Sequence, residues 1–231
     1  MRNHPGRIFS TASVRRPIML RATLLGIPNG GRIGVVSEQI SEVERVALAA
    51  LGYSEAWLQS GLLERQLLAD QYARFQAGGT QKTVKYRSQA LAAWREGGEP
   101  ILDAQLDAFL SLMGAESDPK LAHAAIAELI QSPRLRLDQL ERIAGSDPEL
   151  MRRHESLIRR VWLTRRMDDG VTDELFERVI ESGDASIQTG LIRDSRLSRK
   201  HAELLAKRGA NPTIREKAQA WFQDKKSWKP Q

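Results

Sequence analysis

The chain has no cysteine among its 231 residues. This absence excludes disulfide bonds, thiolate metal ligands and cysteine nucleophiles, and it is compatible with a reducing compartment. Aromatic residues are also scarce, at 6% of the sequence, which favours helices over a β-sandwich. No uninterrupted apolar run approaches the roughly 18–20 residues that a transmembrane helix needs. We therefore expect a soluble helical protein, or one that binds only to a membrane surface.

Acidic residues are missing from the beginning of the chain. Residues 1–37 carry six arginines and no Asp or Glu, whereas residues 38–133 carry 8 basic and 13 acidic residues. Residues 134–231 are basic again, with 21 basic and 16 acidic residues. Basic charge at both ends favours contact with an anionic partner, such as nucleic acid, an anionic membrane or an acidic protein surface.

The first 36 residues have the composition of a targeting segment. They combine arginines with Ser and Thr, and the sequence RIFSTAS resembles mitochondrial presequences. The alternatives are a flexible basic arm and an upstream extension before a start at Met19. We expect a cytoplasmic protein, with the mitochondrial matrix as the alternative if residues 1–36 are a transit peptide.

Three segments in the C-terminal half repeat one order of residue types. Each has an aliphatic opening residue, an amphipathic stretch, an Asp or Asn followed by Pro or Ala, and a second aliphatic residue. The opening residues are Leu135, Val171 and Leu197, and the Asp or Asn residues are Asp147, Asp184 and Asn211. Such repetition is typical of stacked helix pairs, which cannot bury their apolar faces alone.

Gly, Pro, Ser and Asx residues mark helix ends along the rest of the chain. They predict a helix from about Ser41 to Gly52, one long helix from Ser54 to about residue 76, a helix over 82–96, and a helix that begins at Pro100 and closes at Gly114. Further helices are predicted over 119–131, 137–144, 148–164, 173–182, 185–193, 198–208 and 212–226. No alternating β pattern is present.

These patterns predict an all-α fold in which consecutive helices pack antiparallel. We expect a basic flexible or transit-like arm over 1–36 and a helical N-terminal subdomain over 37–108. A short HEAT-like solenoid of helix pairs would follow over 109–226, with a tail over 227–231.

The repeats also carry a family resemblance. Residues 191–221 resemble the leucine-rich-repeat-variant and HEAT-like α-solenoid repeats of bacteria, residues 130–153 match similarly, and residues 109–133 match more weakly. The matching positions are Leu191, Ile192, Arg196, Leu197, Leu204, Leu205, Ala206, Asn211, Pro212, Ile214 and Arg215. The third copy departs from the pattern with Ala185 and Gln188. The resemblance implies a binding scaffold, and it implies no activity and no cofactor.

Arginines recur in the sequence ELMRRHESLIRRVWLTRR at a spacing that would place them on one side of a single helix. Guanidinium groups hold phosphates or carboxylates bidentately, so this side would suit an anionic partner. A solvated face, or pairing with the acidic helix over 173–181, is the alternative interpretation. The predicted binding residues are Arg152, Arg153, Arg159, Arg160 and Arg166, continued in the last repeats by Arg193, Arg196, Arg199 and Lys200.

Residues that could carry catalysis are few. The sequence has no Ser-centred elbow, no P-loop and no metal-binding pair of histidines. His123, His154 and His201 are isolated in the sequence, and Asp168–Asp169 is most simply a turn. We therefore predict no enzymatic activity, no metal and no cofactor.

The predicted function is that of a non-catalytic scaffold or adaptor that engages a protein partner through its Arg-rich helical surface. An RNA- or DNA-binding protein that uses the same basic surface is the alternative. A HEAT-like enzyme that excises alkylated bases is a third interpretation, with Asp168 and Asp169 as its candidate carboxylates. The sequence does not identify the partner or the oligomeric state.

Overall fold

A computed structural model describes residues 42–79, 82–146, 148–194 and 197–223. The predicted arm over 1–36 and the predicted tail over 227–231 lie outside these residues. The helices are α1 (Glu42–Ala50), α2 (Glu55–Gln59), α3 (Arg65–Gln76), α4 (Thr83–Glu96), α5 (Asp103–Ala115), α6 (Pro119–Gln131), α7 (Leu137–Ala144), α8 (Pro148–Arg152), α9 (Glu155–Asp168), α10 (Asp173–Ser182), α11 (Ala185–Arg193), α12 (Arg199–Arg208) and α13 (Pro212–Gln223).

The described ranges contain no β-strand, so the all-α prediction is confirmed. A search of the same residues finds no helix with the length and apolar character needed to cross a bilayer.

Polar residues cap the helices of the repeats as the sequence predicts. The Asp184 carboxylate accepts hydrogen bonds from the backbone N–H groups of Ser186 and Ile187, at 2.9 and 3.2 Å. The Asn211 side-chain oxygen accepts one from Ile214 at 3.0 Å. Such caps satisfy N–H groups that have no partner inside the first turn of a helix. The third predicted turn residue, Asp147, lies outside the described residues.

Four of the aliphatic residues that frame the repeats lie in the core, and Val171 is partly buried. Leu135 and Leu197 open two of the repeats and are buried, as are Ile187 and Ile214, which follow the turns. Each helix packs mainly against helices at most three places away in the chain, for example α4 on α6, α6 on α9, and α11 on α13. This nearest-neighbour packing is the arrangement expected of stacked helical units.

The single helix predicted from Ser54 to about residue 76 is wrong, because the structure divides it into α2 and α3. Gly61 ends the first piece with φ 68°, a left-handed conformation that residues with a side chain adopt at a cost. The adjacent Leu62 and Leu63 follow in a non-helical segment, where both are buried. Neighbouring positions on a helix point about 100° apart, so the break lets both leucines enter the core.

The predicted start of the fourth helix at Pro100 is also wrong, because α5 begins at Asp103. Ile101, two residues before the start of α5, is fully buried, and its backbone is held by Arg134 and Gln139. Its N–H donates to the Arg134 carbonyl at 3.3 Å, and its carbonyl accepts from Gln139 Nε2 at 2.8 Å. The Ile101 carbonyl, which a helix starting at Pro100 would use internally, is thus bonded to a side chain of another segment.

The buried side chains form two clusters. The first includes residues from Leu48 to Ile158 and continues across residue 108, and the second includes residues from Leu163 to Ala218. Trp162 on α9 packs against both clusters. Helix α9 therefore joins the two halves of the hydrophobic core.

Several arginines bind the backbone carbonyls of helices that precede them. Arg134 donates to the carbonyls of Trp94 and Arg95 in the last turn of α4, at 2.6 and 2.7 Å. Arg165 donates to the carbonyl of Ser132 at 2.6 Å and to that of Leu135. Helix C-termini leave carbonyls without an internal partner, and cationic donors there are favourable. These arginines therefore cap earlier helices and hold neighbouring units together.

Candidate functional site

The arginine-rich sequence around Arg152–Arg166 does not form one helix. Helix α8 ends at Arg152, Arg153 and His154 form a turn, and α9 begins at Glu155. The prediction that Arg152 and Arg153 share a single helix with Arg159, Arg160 and Arg166 is therefore wrong. His154 is buried at the break, and no Gly or Pro in the sequence marks it.

The arginines on α9 are engaged by carboxylates of the same chain. Arg159 lies 2.6 Å from Glu155, one turn earlier on the helix. Arg160 lies 2.7 Å from Asp184, the residue that caps α11. Although burial alone would raise the pKa of Asp184, hydrogen bonds from Arg160 and from the backbone N–H groups lower it below its usual value. Arg160 is thus part of the junction between α9 and α11.

The third arginine of α9, Arg166, contacts both an aromatic ring and an acid. Its guanidinium carbon lies 5.3 Å from the centre of the Trp162 ring, and its nitrogen lies 4.0 Å from Glu141. Trp162 Nε1 donates to the same Glu141 carboxylate at 2.8 Å. The favourable cation–π and ionic contacts hold Arg166 against the protein surface.

The predicted basic residues of the last repeats lie at the end of α11 and the start of α12. Lys200 pairs with Asp173, and Arg199 begins α12 and is exposed. Arg193 is exposed at the end of α11, whereas Arg196 lies outside the described residues. The expected pairing of the α9 arginines with helix 173–181 is not found among the described residues, since Glu177 there binds Arg208 at 2.8 Å.

Arg152 and Arg153 differ from the other predicted binding residues. Both line a cleft of about 400 Å³ between the end of α5, the first half of α6, and α8. No carboxylate of a described residue lies within ion-pair distance, 4.0 Å, of either guanidinium. Met113, Pro119 and Ala122 form part of the same wall. The cleft therefore combines two cationic groups with apolar surface, as ligand sites often do.

Two histidines that are isolated in the sequence, His123 and His154, meet at this cleft. Nδ1 of His123, on α6, lies 3.2 Å from Nε2 of His154, in the turn between α8 and α9. His123 is half-buried and lines the cleft, while His154 is buried beneath it. Burial, together with the neighbouring His123 and Arg153, lowers the pKa of His154.

The buried carboxylate of Glu116 lies at the end of α5 and also borders the cleft. Its Oε2 atom accepts a hydrogen bond from Trp57 Nε1 at 2.7 Å and lies 3.3 Å from Arg87 Nε. Oε1 accepts a hydrogen bond from the Asp118 backbone N–H at 2.9 Å. Glu116 is thus paired with Arg87, and its charge does not compensate Arg152 and Arg153.

The arrangement suits the binding of an anion. Guanidinium groups and imidazole N–H groups are donors for oxyanions, and their strength rises in a partly enclosed site. Among the described residues, no three His, Asp or Glu side chains converge as a metal site would require. His201, the third histidine in question, instead lies 2.8 Å from Asp173 and stacks on Phe176.

One signal in the sequence could have indicated the histidine pair. In the sequence, His123 and His154 each follow an Asp-Pro pair, Asp118–Pro119 and Asp147–Pro148, at a similar distance. Stacked units bring corresponding segments side by side, so similar positions in consecutive units are candidates for contact. The similar positions of the two histidines in consecutive repeats could therefore have predicted their contact.

Comparison with protein-family models, with curated proteins and with solved structures gives no match to the chain. The likeness to HEAT-like and leucine-rich-repeat-variant repeats stays a prediction from the sequence. Any function must therefore be argued from the site itself.

Proposed function

We propose that this protein is a non-catalytic helical scaffold that engages a protein partner, and that it holds an anionic side chain of this partner in the Arg152–Arg153 cleft. One observation carries the proposal. Four of the predicted basic residues, Arg159, Arg160, Arg166 and Lys200, lie within 4.0 Å of carboxylates of the same chain, whereas Arg152 and Arg153 line a cleft and have no such partner among the described residues.

The distribution of the paired residues favours a protein partner over a nucleic acid. A nucleic-acid backbone presents phosphates at regular intervals, and its affinity comes from several cations that contact it together. On this surface Arg159, Arg160 and Lys200 are each bound to a carboxylate, which leaves a local site and not a stripe. A single anionic side chain within a cleft that combines cationic and apolar groups matches this geometry better.

The proposal is for binding without chemistry. A base-excising enzyme would need a carboxylate withdrawn from water in its pocket. Asp168 and Asp169, the candidates for that role, are both exposed at the end of α9. The cleft carboxylate Glu116 is bound to Arg87 and Trp57, which is the environment of a structural ion pair.

A peptide array tests the proposal. Peptides with random flanks and a central Glu, phosphoserine, Ala or Lys are probed with the full chain, and labelled single-stranded RNA and duplex DNA are titrated in parallel. We expect binding to the anion-centred peptides and a loss of about tenfold or more for the Arg152→Gln/Arg153→Gln variant, because charge-assisted hydrogen bonds are lost. Affinity for the Ala- and Lys-centred peptides should be far weaker.

The matched control is Arg45→Gln/Lys207→Gln, which removes the same charge from two exposed ion pairs elsewhere. It should bind the peptides within about twofold of the unmodified chain, since exposed pairs contribute little. If both double variants lost peptide affinity equally, the lower net charge of the chain would explain the loss, and the cleft would not be the binding site. Tight, strongly salt-dependent binding of RNA or DNA without peptide binding would favour the nucleic-acid alternative instead.

A further inference from the structure

The cleft between α5, α6 and α8 is larger than an anionic group alone requires. A water molecule in the liquid occupies about 30 Å³, so a carboxylate of three heavy atoms fills roughly a quarter of the cleft's volume of about 400 Å³. Sites of this size usually hold a ligand with an apolar part and a few polar groups that fix its orientation. The contact with the partner therefore includes more than the charged end of one side chain.

The two sides of the cleft differ in chemistry. Arg152, at the end of α8, and Arg153, in the turn after it, are exposed and cationic. On the side formed by α5 and α6, Met113 and Ala122 are buried, whereas Pro119 is exposed. The ring of Pro119 is therefore the apolar surface that a ligand on this side would cover.

The turn that carries Pro119 is held by hydrogen bonds. The Asp118 carboxylate accepts from the backbone N–H groups of Lys120 and Leu121, at 2.9 and 3.3 Å. The backbone N–H of Asp118 donates to Oε1 of the buried Glu116 at 2.9 Å. Proline also suits this place because the first residue of a helix needs no N–H group. Pro119 thus presents a preorganised surface, which loses little conformational freedom when a ligand covers it.

We propose that the partner segment carries a large apolar side chain beside its anionic side chain, and that the apolar side chain packs against Pro119 while Arg152 and Arg153 hold the anion. The inference rests on the proposed function, because it concerns the same cleft and the same partner. It adds the chemistry of the residue that accompanies the anion. A polar residue in that place would leave the apolar surface of Pro119 in contact with water.

The spacing of the two side chains follows from backbone geometry. Side chains two positions apart lie on one side of an extended segment, and side chains three or four positions apart lie on one side of a helix. The apolar residue is therefore expected two to four positions from the anionic residue. Covering about 40 Å² of apolar surface corresponds to about fivefold in affinity.

A second peptide array, probed with the full chain, tests the inference. Each peptide has a central Glu, and every position two to four residues to either side carries Leu or Asn, which are similar in size, or Val or Thr, which are similar in shape. A parallel set has a central Ala. We expect at least one position at which Leu binds about fivefold more tightly than Asn and Val more tightly than Thr, in the peptides with a central Glu.

The Pro119→Ser variant removes the apolar ring and keeps a residue that the first turn of a helix accepts. It should lose the preference for Leu over Asn and retain the preference for a central Glu over a central Ala. The matched control is Pro212→Ser, since Pro212 is also the exposed first residue of a helix and lies outside the cleft. This control should keep both preferences.

The Arg152→Gln/Arg153→Gln variant should weaken the binding of the Leu and Asn peptides by the same factor, because the arginines and Pro119 contact different side chains of the ligand. Circular dichroism and thermal unfolding verify that each variant folds. The comparison of Leu with Asn on the unmodified chain tests the inference even if Pro119→Ser does not fold.

Two results would overturn the inference: a change of less than twofold between Leu and Asn at every position, or a preference for Leu that persists in the Pro119→Ser variant. Both leave the proposed function standing as long as peptides with a central Glu bind better than those with a central Ala. Equal binding of the Glu and Ala peptides would instead contradict the proposed function. A preference for Leu that disappears in Pro119→Ser would even then support the apolar contact.

Discussion

The buried ion pair between Arg87 and Glu116 allows a quantitative prediction. The two side chains are only 7% and 2% exposed, so water cannot compensate either charge if the other is removed. Glu116→Gln keeps the size of the side chain and an oxygen that can accept from Trp57, and it removes only the negative charge. Breaking one half of a buried pair costs about 3–5 kcal/mol. This is a large fraction of the roughly 5–15 kcal/mol that stabilises a typical domain.

The assay is urea unfolding at pH 7, followed by circular dichroism and by tryptophan fluorescence. The matched control is Glu128→Gln, which breaks the far more exposed pair with Arg95, of which Glu128 is 53% exposed. Exposed pairs contribute at most about 1 kcal/mol, so the control should unfold nearly like the unmodified chain. A cycle with Arg87→Met then isolates the coupling between the two side chains. Equal costs for Glu116→Gln and Glu128→Gln would show that burial does not strengthen this pair.

Two further predictions concern the capping arginines and the response to pH. Arg165→Met removes the guanidinium that donates to the Ser132 and Leu135 carbonyls and should lower the free energy of unfolding by about 2–3 kcal/mol. Lys207→Met, on an exposed pair, should cost at most about 0.5 kcal/mol in the same urea assay, and equal costs would contradict a capping role. The pKa of His154 is lower in the folded chain than in the unfolded chain, so the unfolded state binds more protons as the pH falls through about 6.5. Stability should therefore be fully present above that pH and decline below it, and a flat profile between about pH 7 and about pH 5.5 in urea titrations would contradict this.

Local signals in the sequence were sufficient for most helix boundaries. Asp184 and Asn211 cap helices through bonds to backbone groups two or three residues away. The start of each of these helices is therefore determined by residues that are close in the sequence. The same is true of the aliphatic residues that frame the repeats. Fold class and the positions of the repeats could therefore be predicted from composition and spacing alone.

The breaks inside predicted helices depend on packing and not on local propensity. The turn at Arg153 and His154 has no helix-breaking residue, and its buried histidine meets a partner 31 residues away in the chain. The break after α2 has a single Gly61, which many helices tolerate. In both places, tertiary contacts overrode a pattern that was helical on its own.

The candidate site was predicted in part. Arg152 and Arg153 were included among the binding residues, but on the assumption of one continuous helix. Counting arginines also overestimated the free positive charge, because carboxylates such as Asp184 lie 24 residues from the arginine they bind. Charge composition shows how many cations a chain has, and only the fold shows which of them are available to a ligand.

The capping arginines Arg134 and Arg165 have a consequence for how a chain of stacked helical units can gain further units. Arg134 and Arg165 each lie downstream of the carbonyls they bind, so two of the units carry a group that binds the end of an earlier one. A tandem duplication of one of these units would copy its arginine together with its helices. The copied arginine could then bind the backbone carbonyls at the new boundary between units. Lengthening the chain by whole units would therefore require no compensating substitutions at the joints.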